Sequence, residues 1–421
     1  EVNQSILELV IRNLRTLECP SKSETYLRTL DMFERVGQTP LLKAIITLGD
    51  NGKEIAVSLF RTILTAIDST FSSTPRKSKS KRSSRTKTDV VSQMTEEELS
   101  VHRDRVKRVS MDTIIAILDL YKRIPDVLLD LLLVSLVPQE DSIKLPSQEM
   151  IEEVFVIKKA KLASDVQKFC ASVLCAESSD SESGEHMYEI LMVLSEISFD
   201  YVIVLLPLVT RQLHMEDDRQ RLHVVECLSV IFGNRRFNFI AQSPGPFEEY
   251  VNRYRDRAVS VRVAMVQASK TLIAAQPSSL TILLPCLEER IKDTSWEVRQ
   301  MTVDALCTIL NGSLRDIPNR IIILLAERTL DKRSEVRKYA ITGLVNILSI
   351  HMAPIWNTGI PDSAVEEKMS VIPVVLFRCY GVSEDEIRNR CCRLLNEILV
   401  SNCETEEAMA RAYLWVFQEL K

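Results

Sequence analysis

Apolar residues recur at helical spacing along nearly the whole chain, broken by short polar turns and two longer polar stretches. From Glu1 to Phe71 the pattern predicts four helices, with turns at Cys19-Pro20-Ser21, at Gly37 and at Gly49-Asp50-Asn51-Gly52. The periodicity stops at Ser72. Seven of the 14 residues from Pro75 to Thr88 are Lys or Arg, the rest are mostly Ser and Thr, and no large apolar residue is among them. Such a stretch buries too little to offset its ordering entropy, so residues 72–94 are predicted to be a disordered loop. Helix resumes with a capping box, Thr95-Glu96-Glu97-Glu98, and runs to Arg123. Pro125 opens the next helix, Pro138 follows its end, and Leu145 to Cys175 reads as one long helical stretch. Glu177 to Gly184 is a second polar loop, acidic and Ser-rich. The segments are therefore 1–71, 72–94, 95–184 and a regular region, 185–421.

Within that last region one register repeats. In Asp256–Leu272, Asp293–Ile309 and Asp331–Ile347, an Asp is followed five residues later by Val261, Val298 or Val336, then by Arg262, Arg299 or Arg337. Six residues past each Arg stands a small residue (Ala268, Ala305, Gly343), and ten past it an aliphatic one (Leu272, Ile309, Ile347). The arginines are 37 and 38 residues apart, near the period of about 40–47 residues of HEAT and armadillo helix pairs. A fourth copy lies upstream at Arg221, Val225, Cys227 and Ile231. Pro207 and Pro285, each 14 residues before a register Arg, are predicted to bend the first helix of their repeats. The fold predicted is all-α, a HEAT-repeat α-solenoid of about ten antiparallel helix pairs stacked in a curved superhelix. The positions at offsets four, six and ten face the core, and the small one lets two helices approach closely. Asp256, Asp293 and Asp331 sit at the turn, where a carboxylate caps the second helix's free amides. Arg262, Arg299 and Arg337 present forked donors that bridge to the neighbouring repeat's Asp or carbonyls. These are structural roles.

Composition agrees. Only 10 glycines occur, against the heavy use of Gly in tight-turned α/β and all-β folds. No uninterrupted apolar run reaches the roughly 18 residues of a spanning helix, which predicts a soluble protein without a membrane partner. A net charge of −5 gives no global attraction for nucleic acid. Ten cysteines fall largely within apolar-periodic helices, with no CxxC pair, and predict buried free thiols in a reducing compartment. Glu1 enters a helix directly, with no initiator Met or signal segment, so the chain reads as a piece of a longer protein.

Catalytic signatures are lacking. The five histidines show no HExxH or paired-ligand spacing, and there is no GxGxxG, GxxxxGK[ST] or GxSxG. No metal, cofactor or catalytic residue is expected. One charge feature stands out: Arg76, Lys77, Lys79, Lys81, Arg82, Arg85 and Lys87 in the polar loop. It reads as a nuclear-import signal, as a nucleic-acid contact, or as a solvated, phosphorylatable linker.

The block Leu325-Ala326-Glu327-Arg328-Thr329-Leu330-Asp331-Lys332-Arg333, with Glu335-Val336-Arg337-Lys338 and Gly343-Leu344 after it, resembles the precocious-dissociation-of-sisters proteins, the HEAT-repeat regulators of cohesin. Leu205-Leu206-Pro207, Arg221-Leu222-His223-Val224-Val225, Ile231-Phe232-Gly233, Leu59-Phe60-Arg61-Thr62 and Glu404-Thr405-Glu406-Glu407 extend the resemblance along the chain in order. It implies a nuclear, chromatin-associated, non-enzymatic scaffold that docks on the cohesin kleisin subunit and recruits releasing or acetylating factors, with indirect or weak DNA contact. It also implies kleisin contact through Leu324 and Leu325, through Arg337 and Lys338 of the same block, and through the Cys379-Tyr380 pair. Cys379 stands where the family carries an aromatic. The family's Ala-Pro-Asp-Ala-Pro-Tyr segment is absent and would lie ahead of Glu1. An inositol polyphosphate is a family ligand, with no residues assigned to it. A generic HEAT adaptor, such as a nuclear transport or phosphatase scaffold, explains the register but not the Glu327–Lys338 block. An enzyme whose catalytic part lies outside this sequence is the third reading.

Overall fold

The computed structural model describes residues 56–57, 59–61, 63–65, 67–68, 96–138, 144–176, 182–314, 316–380, 385–397 and 402–420. Most of the helices expected over 1–71, and the whole basic stretch 72–94, lie outside the described residues. Every described element is an α-helix or a short 3-10 turn. The chain divides into two compact units, 1–208 and 209–421, so the first part of the regular region belongs to the first unit.

In the first unit, α1 (Glu96–Leu120) is followed by α2 (Asp126–Val134), which Pro125 opens with its fixed φ of −59°. The stretch expected as one helix over 145–175 is two, α3 (Pro146–Ile157) and α4 (Lys159–Cys175), hinged at Lys158 with φ −99° and ψ 18°. No Gly or Pro marks the break. The Tyr201 hydroxyl donates to the Phe155 carbonyl there at 2.7 Å, giving a last-turn acceptor a partner from another element. At the start of α3, Gln148 accepts the Leu145 amide at 3.0 Å and donates to the Val137 carbonyl at 2.6 Å, pinning the turn from α2. A further helix, α5 (Met187–Ile197), buries Met187, Ile190, Leu191 and Leu194.

Pro207 does not bend a helix interior. It is the second residue of the short helix Leu206–Arg211, where its missing N–H has no intrahelical partner to lose. Of the two, Pro285 is interior, in the helix Leu280–Arg290.

The second unit is a row of helix pairs. α6 (Asp218–Phe232), α8 (Val259–Ala275), α10 (Trp296–Gly312) and α12 (Ser334–Thr358) pack one on the next. Their first-helix partners are α7 (Pro244–Val251), α9 (Leu280–Arg290) and α11 (Asn319–Glu327), ahead of α8, α10 and α12 respectively. Val225, Val266, Val303 and Ile341, all at offset four from the register arginines, are fully buried. The small positions Cys227, Ala268, Ala305 and Gly343 are buried too. Ile309 departs from the pattern: it is half-exposed, and Leu310 takes the core position. At Gly343 α12 comes close to α10, since a Cβ there would stand 2.2 Å from the Cys307 Sγ.

α12 runs for 25 residues to Gly359, whose φ of 68° forms the left-handed cap that glycine adopts without strain. It is long and apolar enough to cross a membrane, which a search for unbroken apolar runs overlooks because Thr342, Asn346, Ser349 and His351 interrupt it. Half of its apolar window is packed against neighbouring helices. Beyond it lie α13 (Ser363–Met369), capped by Asp362, then α14 (Val371–Tyr380), α15 (Asp385–Asn396) and α16 (Glu406–Glu419), capped by Thr405. Arg411 of α16 donates to the Trp356 carbonyl at 2.7 Å, and Trp356 and Trp415 meet with ring centroids 6.0 Å apart.

Candidate functional site: a ladder of buried ion pairs and an outward apolar strip

The register arginines and aspartates form a ladder that crosses from each repeat to the next. Arg221 donates through Nε and Nη2 to both oxygens of Asp256, at 3.0 and 2.9 Å. Arg262 does the same to Asp293 at 3.0 and 2.9 Å, and Arg299 to Asp331 at 2.8 and 2.7 Å. The third guanidinium nitrogen turns back into its own loop. Nη1 of Arg262, Arg299 and Arg337 reaches the carbonyls of Asp256, Asp293 and Asp331 at 2.8, 2.9 and 2.6 Å. Each complete rung therefore ties the turn of one repeat to the turn of the next through one planar group, which a lysine could not do.

The aspartates do not cap the interior amides of the second helices. Asp256, Asp293 and Asp331 accept the amides of Ala258, Ser295 and Arg333, the N-cap residues themselves, at 2.8, 2.9 and 3.0 Å. Standing two residues ahead of the N-cap, they are too early in the chain to reach further in. Each also accepts from an arginine three residues before it: Arg253, Arg290 or Arg328. These arginines carry no Val–Arg signature beside them, and the signal that marks them is their recurrence at the same 37- and 38-residue spacing.

All three aspartate side chains are only 2% exposed. Burial on its own pushes these carboxyls up. The register arginine's hydrogen bonds, the amide two residues ahead and the surrounding guanidinium charges outweigh it and hold all three below their ordinary 3.8. The same pairing raises Arg221 and Arg299. Because the folded values are depressed, the unfolded chain binds protons first as pH falls. The ladder's contribution is complete above about pH 4 and is lost as pH drops through the lower folded values. Unfolding midpoints measured from pH 7 to pH 3 should fall steeply below pH 4, and Asp293→Asn should flatten that slope.

The second feature is an apolar strip. α11 and α14 pack against each other. On α11, Ile321, Ile322, Leu325 and Ala326 turn inward, while Arg320, Ile323, Leu324 and Glu327 share the opposite stripe. On α14, Ile372, Val375, Leu376 and Cys379 are buried and Phe377 is exposed, as is Leu330 in the turn after α11. Leu325 therefore cannot touch a partner: it is fully buried, because the position next to Leu324 falls on the core side of the helix. Leu324 is half-buried, and Ile323, at 47% exposure, is the residue offered to solvent. Arg337 is half-buried and turned toward the ladder, and Lys338 is half-buried. Tyr380 is the last residue of α14, with its side chain outside the described residues. Arg76, Lys77, Lys79, Lys81, Arg82, Arg85 and Lys87 also lie outside the described residues.

No group of three or more metal-ligating side chains occurs among the described residues. His214 pairs with Glu249 at 3.2 Å, and His351 with the Leu310 carbonyl at 2.8 Å. A pocket of about 280 Å³ at the first rung is lined by Arg221, Arg253, Arg255 and Arg257. It does not fit an inositol polyphosphate. Asp256 takes Arg221 and Arg253, Glu289 takes Arg255, and Asp218 takes Arg257, so the cations are already neutralised.

Stacked helix pairs in one register, joined by buried ion pairs and offering an outward strip, define a HEAT-type repeat scaffold. The whole chain, residues 1–421, matches the sister chromatid cohesion protein PDS5 family, and it belongs to that family. It is 23% identical over 415 residues to sister chromatid cohesion protein PDS5 homolog A of Mus musculus and of Homo sapiens, a match covering 97% of this chain and 28% of each relative. With homolog B of Mus musculus the identity is 22% over 412 residues, covering 97% and 26%. The chain thus spans less than a third of the length of these curated relatives. A chain from the solved Pds5–Scc1 complex superposes with a TM-score of 0.66 at 15% identity, covering 98% of this chain and 60% of that one, which shows the shared fold.

Proposed function

We propose that this chain is a non-enzymatic scaffold that binds the kleisin subunit of cohesin and regulates sister chromatid cohesion, in the nucleus and on chromatin. Membership of the PDS5 family over the full length supports this, as does the likeness to a fold solved in complex with Scc1. The observation that carries the site is the outward apolar set of Ile323 and Leu324 on α11, Leu330 in the turn after it and Phe377 on α14, two helices packed together. A partner helix docks on such a strip by inserting apolar anchors, with rim charges such as Arg320 and Glu327 setting its direction. Factors that release or acetylate cohesin would then be recruited to the assembled scaffold. The ladder's part is to hold α10, α12 and their partners in phase, so that the strip is presented in one geometry.

A pull-down from nuclear extract with the purified chain tests this reading. Recovery of cohesin subunits is expected. Recovery of import cargo or phosphatase subunits without cohesin would overturn it in favour of a generic adaptor.

A further inference from the structure

The rim of the α11–α14 strip is unevenly charged. On α11, Arg320 is balanced by Glu288 at 2.6 Å. In the turn after α11, and on α14 beside it, Lys332, Arg333 and Arg378 stand exposed, and so does Lys292 in the preceding turn. None of these four has an ion-pair partner among the described residues. The carboxylates nearby are committed elsewhere. Asp331 takes Arg299 and Arg328, and Glu327 faces Arg328 at 3.8 Å. Glu335 lies in the first turn of α12, where free helix amides favour its charge. The fold gathers the four cations. The Arg299–Asp331 rung ties the Lys332 turn to the Lys292 turn. Arg333 lies over the Trp296 ring at 5.9 Å, which holds its guanidinium in place. The turn Arg328–Leu330 packs on α14, the helix of Phe377 and Arg378.

We propose, resting on the docking face above, that the kleisin segment which occupies it is acidic at the end that meets this turn, and that Lys292, Lys332, Arg333 and Arg378 orient it.

The apolar part of the segment covers Ile323, Leu330 and Phe377, and carboxylates beyond it meet the four cations. Complementary rim charge of this kind steers the encounter and fixes direction more than it adds affinity. A nucleic-acid backbone would neutralise the same cations. It would leave Leu330, 64% exposed and two residues from Lys332, and Phe377, 44% exposed and next to Arg378, without an apolar cover. Cations interleaved with large exposed apolar side chains therefore favour an amphipathic acidic peptide.

Surface plasmon resonance of the whole chain with the amino-terminal region of a kleisin, across a salt series, tests this. Association should slow several-fold as salt rises. K332E/R333E and R378E should each slow association several-fold and flatten its salt dependence, while melting as the unaltered chain does. F377S should instead speed dissociation and keep the salt dependence. Kleisin binding with no salt dependence, or undiminished in both charge-reversed chains, would overturn the acidic end and leave the docking face standing. No binding by the unaltered chain would remove the docking face and its acidic partner together. Duplex DNA retained by the unaltered chain and lost from K332E/R333E, with kleisin binding undiminished, would assign the cations to nucleic acid instead.

Discussion

Arg262→Met should lower the stability of the second unit by about 3–5 kcal/mol, far more than an ordinary surface charge substitution. The reason is the state in which it leaves Asp293. That carboxylate is 2% exposed and would keep Arg290, the Ser295 amide and a long hydrogen bond of 3.5 Å from the Thr294 hydroxyl, having lost its bidentate partner. The Asp256 carbonyl loses a donor at the same time. Arg255→Met gives the contrast. Its partner Glu289 is 43% exposed and Arg255 itself 74%, so solvent screens the pair and its loss should scarcely move the transition. The double variant Arg262→Met/Asp293→Leu should regain much of the loss, since burying two apolar groups leaves no uncompensated carboxylate. Arg290 keeps Glu289 in that background. Repeat arrays can unfold in steps, so the quantity to compare is the urea midpoint of the transition that each substitution moves. Equal effects of Arg262→Met and Arg255→Met would show that the ladder is incidental.

Gly343→Val should lower stability by about 1–3 kcal/mol by overpacking the contact between α10 and α12. A Cβ at 343 would lie 2.2 Å from the Cys307 Sγ and 3.2 Å from its Cβ, distances that force α10 and α12 apart. Cys307 is buried, and burial pushes its thiol up to about 12, so it acts as a small apolar group with no freedom to swing into water. Cys307→Ala in the Gly343→Val background should recover part of the loss, because the clashing atom is removed. Gly312→Ala, at the end of α10 with nothing within 4 Å of its added Cβ, should be neutral or slightly stabilising. Thermal melts of these three variants and of Cys307→Ala alone decide the matter. Independent, additive effects at 343 and 307 would contradict a direct contact.

Much of this architecture was legible because a repeat displays its logic several times. The Asp, Val and Arg spacing located the turns, and the small residue at offset six located the close approach at Gly343. Periodicity, however, ranks positions around one helix without saying what covers the far side. Leu324 and Leu325 are equivalent as apolar neighbours in a pattern, yet the packing of α11 against α12 and α14 buries Leu325 and leaves Ile323 outside. The same limit explains Ile309, where the core takes Leu310 instead. The break at Lys158 has no local signal: no Gly or Pro stands there, and the Phe155 carbonyl takes a hydrogen bond from a hydroxyl 46 residues away, on Tyr201. Arg253, Arg290 and Arg328 were visible as a second periodic series, but their joint use of the ladder carboxylates becomes plain only when the turns are seen together.

In the proposed function, the α11–α14 face of the repeat stack grips the kleisin. Titration calorimetry of the purified chain with the amino-terminal region of a kleisin measures this, beside Phe377→Lys and Tyr380→Lys, with melting curves for each. Saturable one-to-one binding is predicted, weakened at least about tenfold by either lysine while the fold survives. No binding by the unaltered chain, or full affinity in both folded variants, would rule this docking face out.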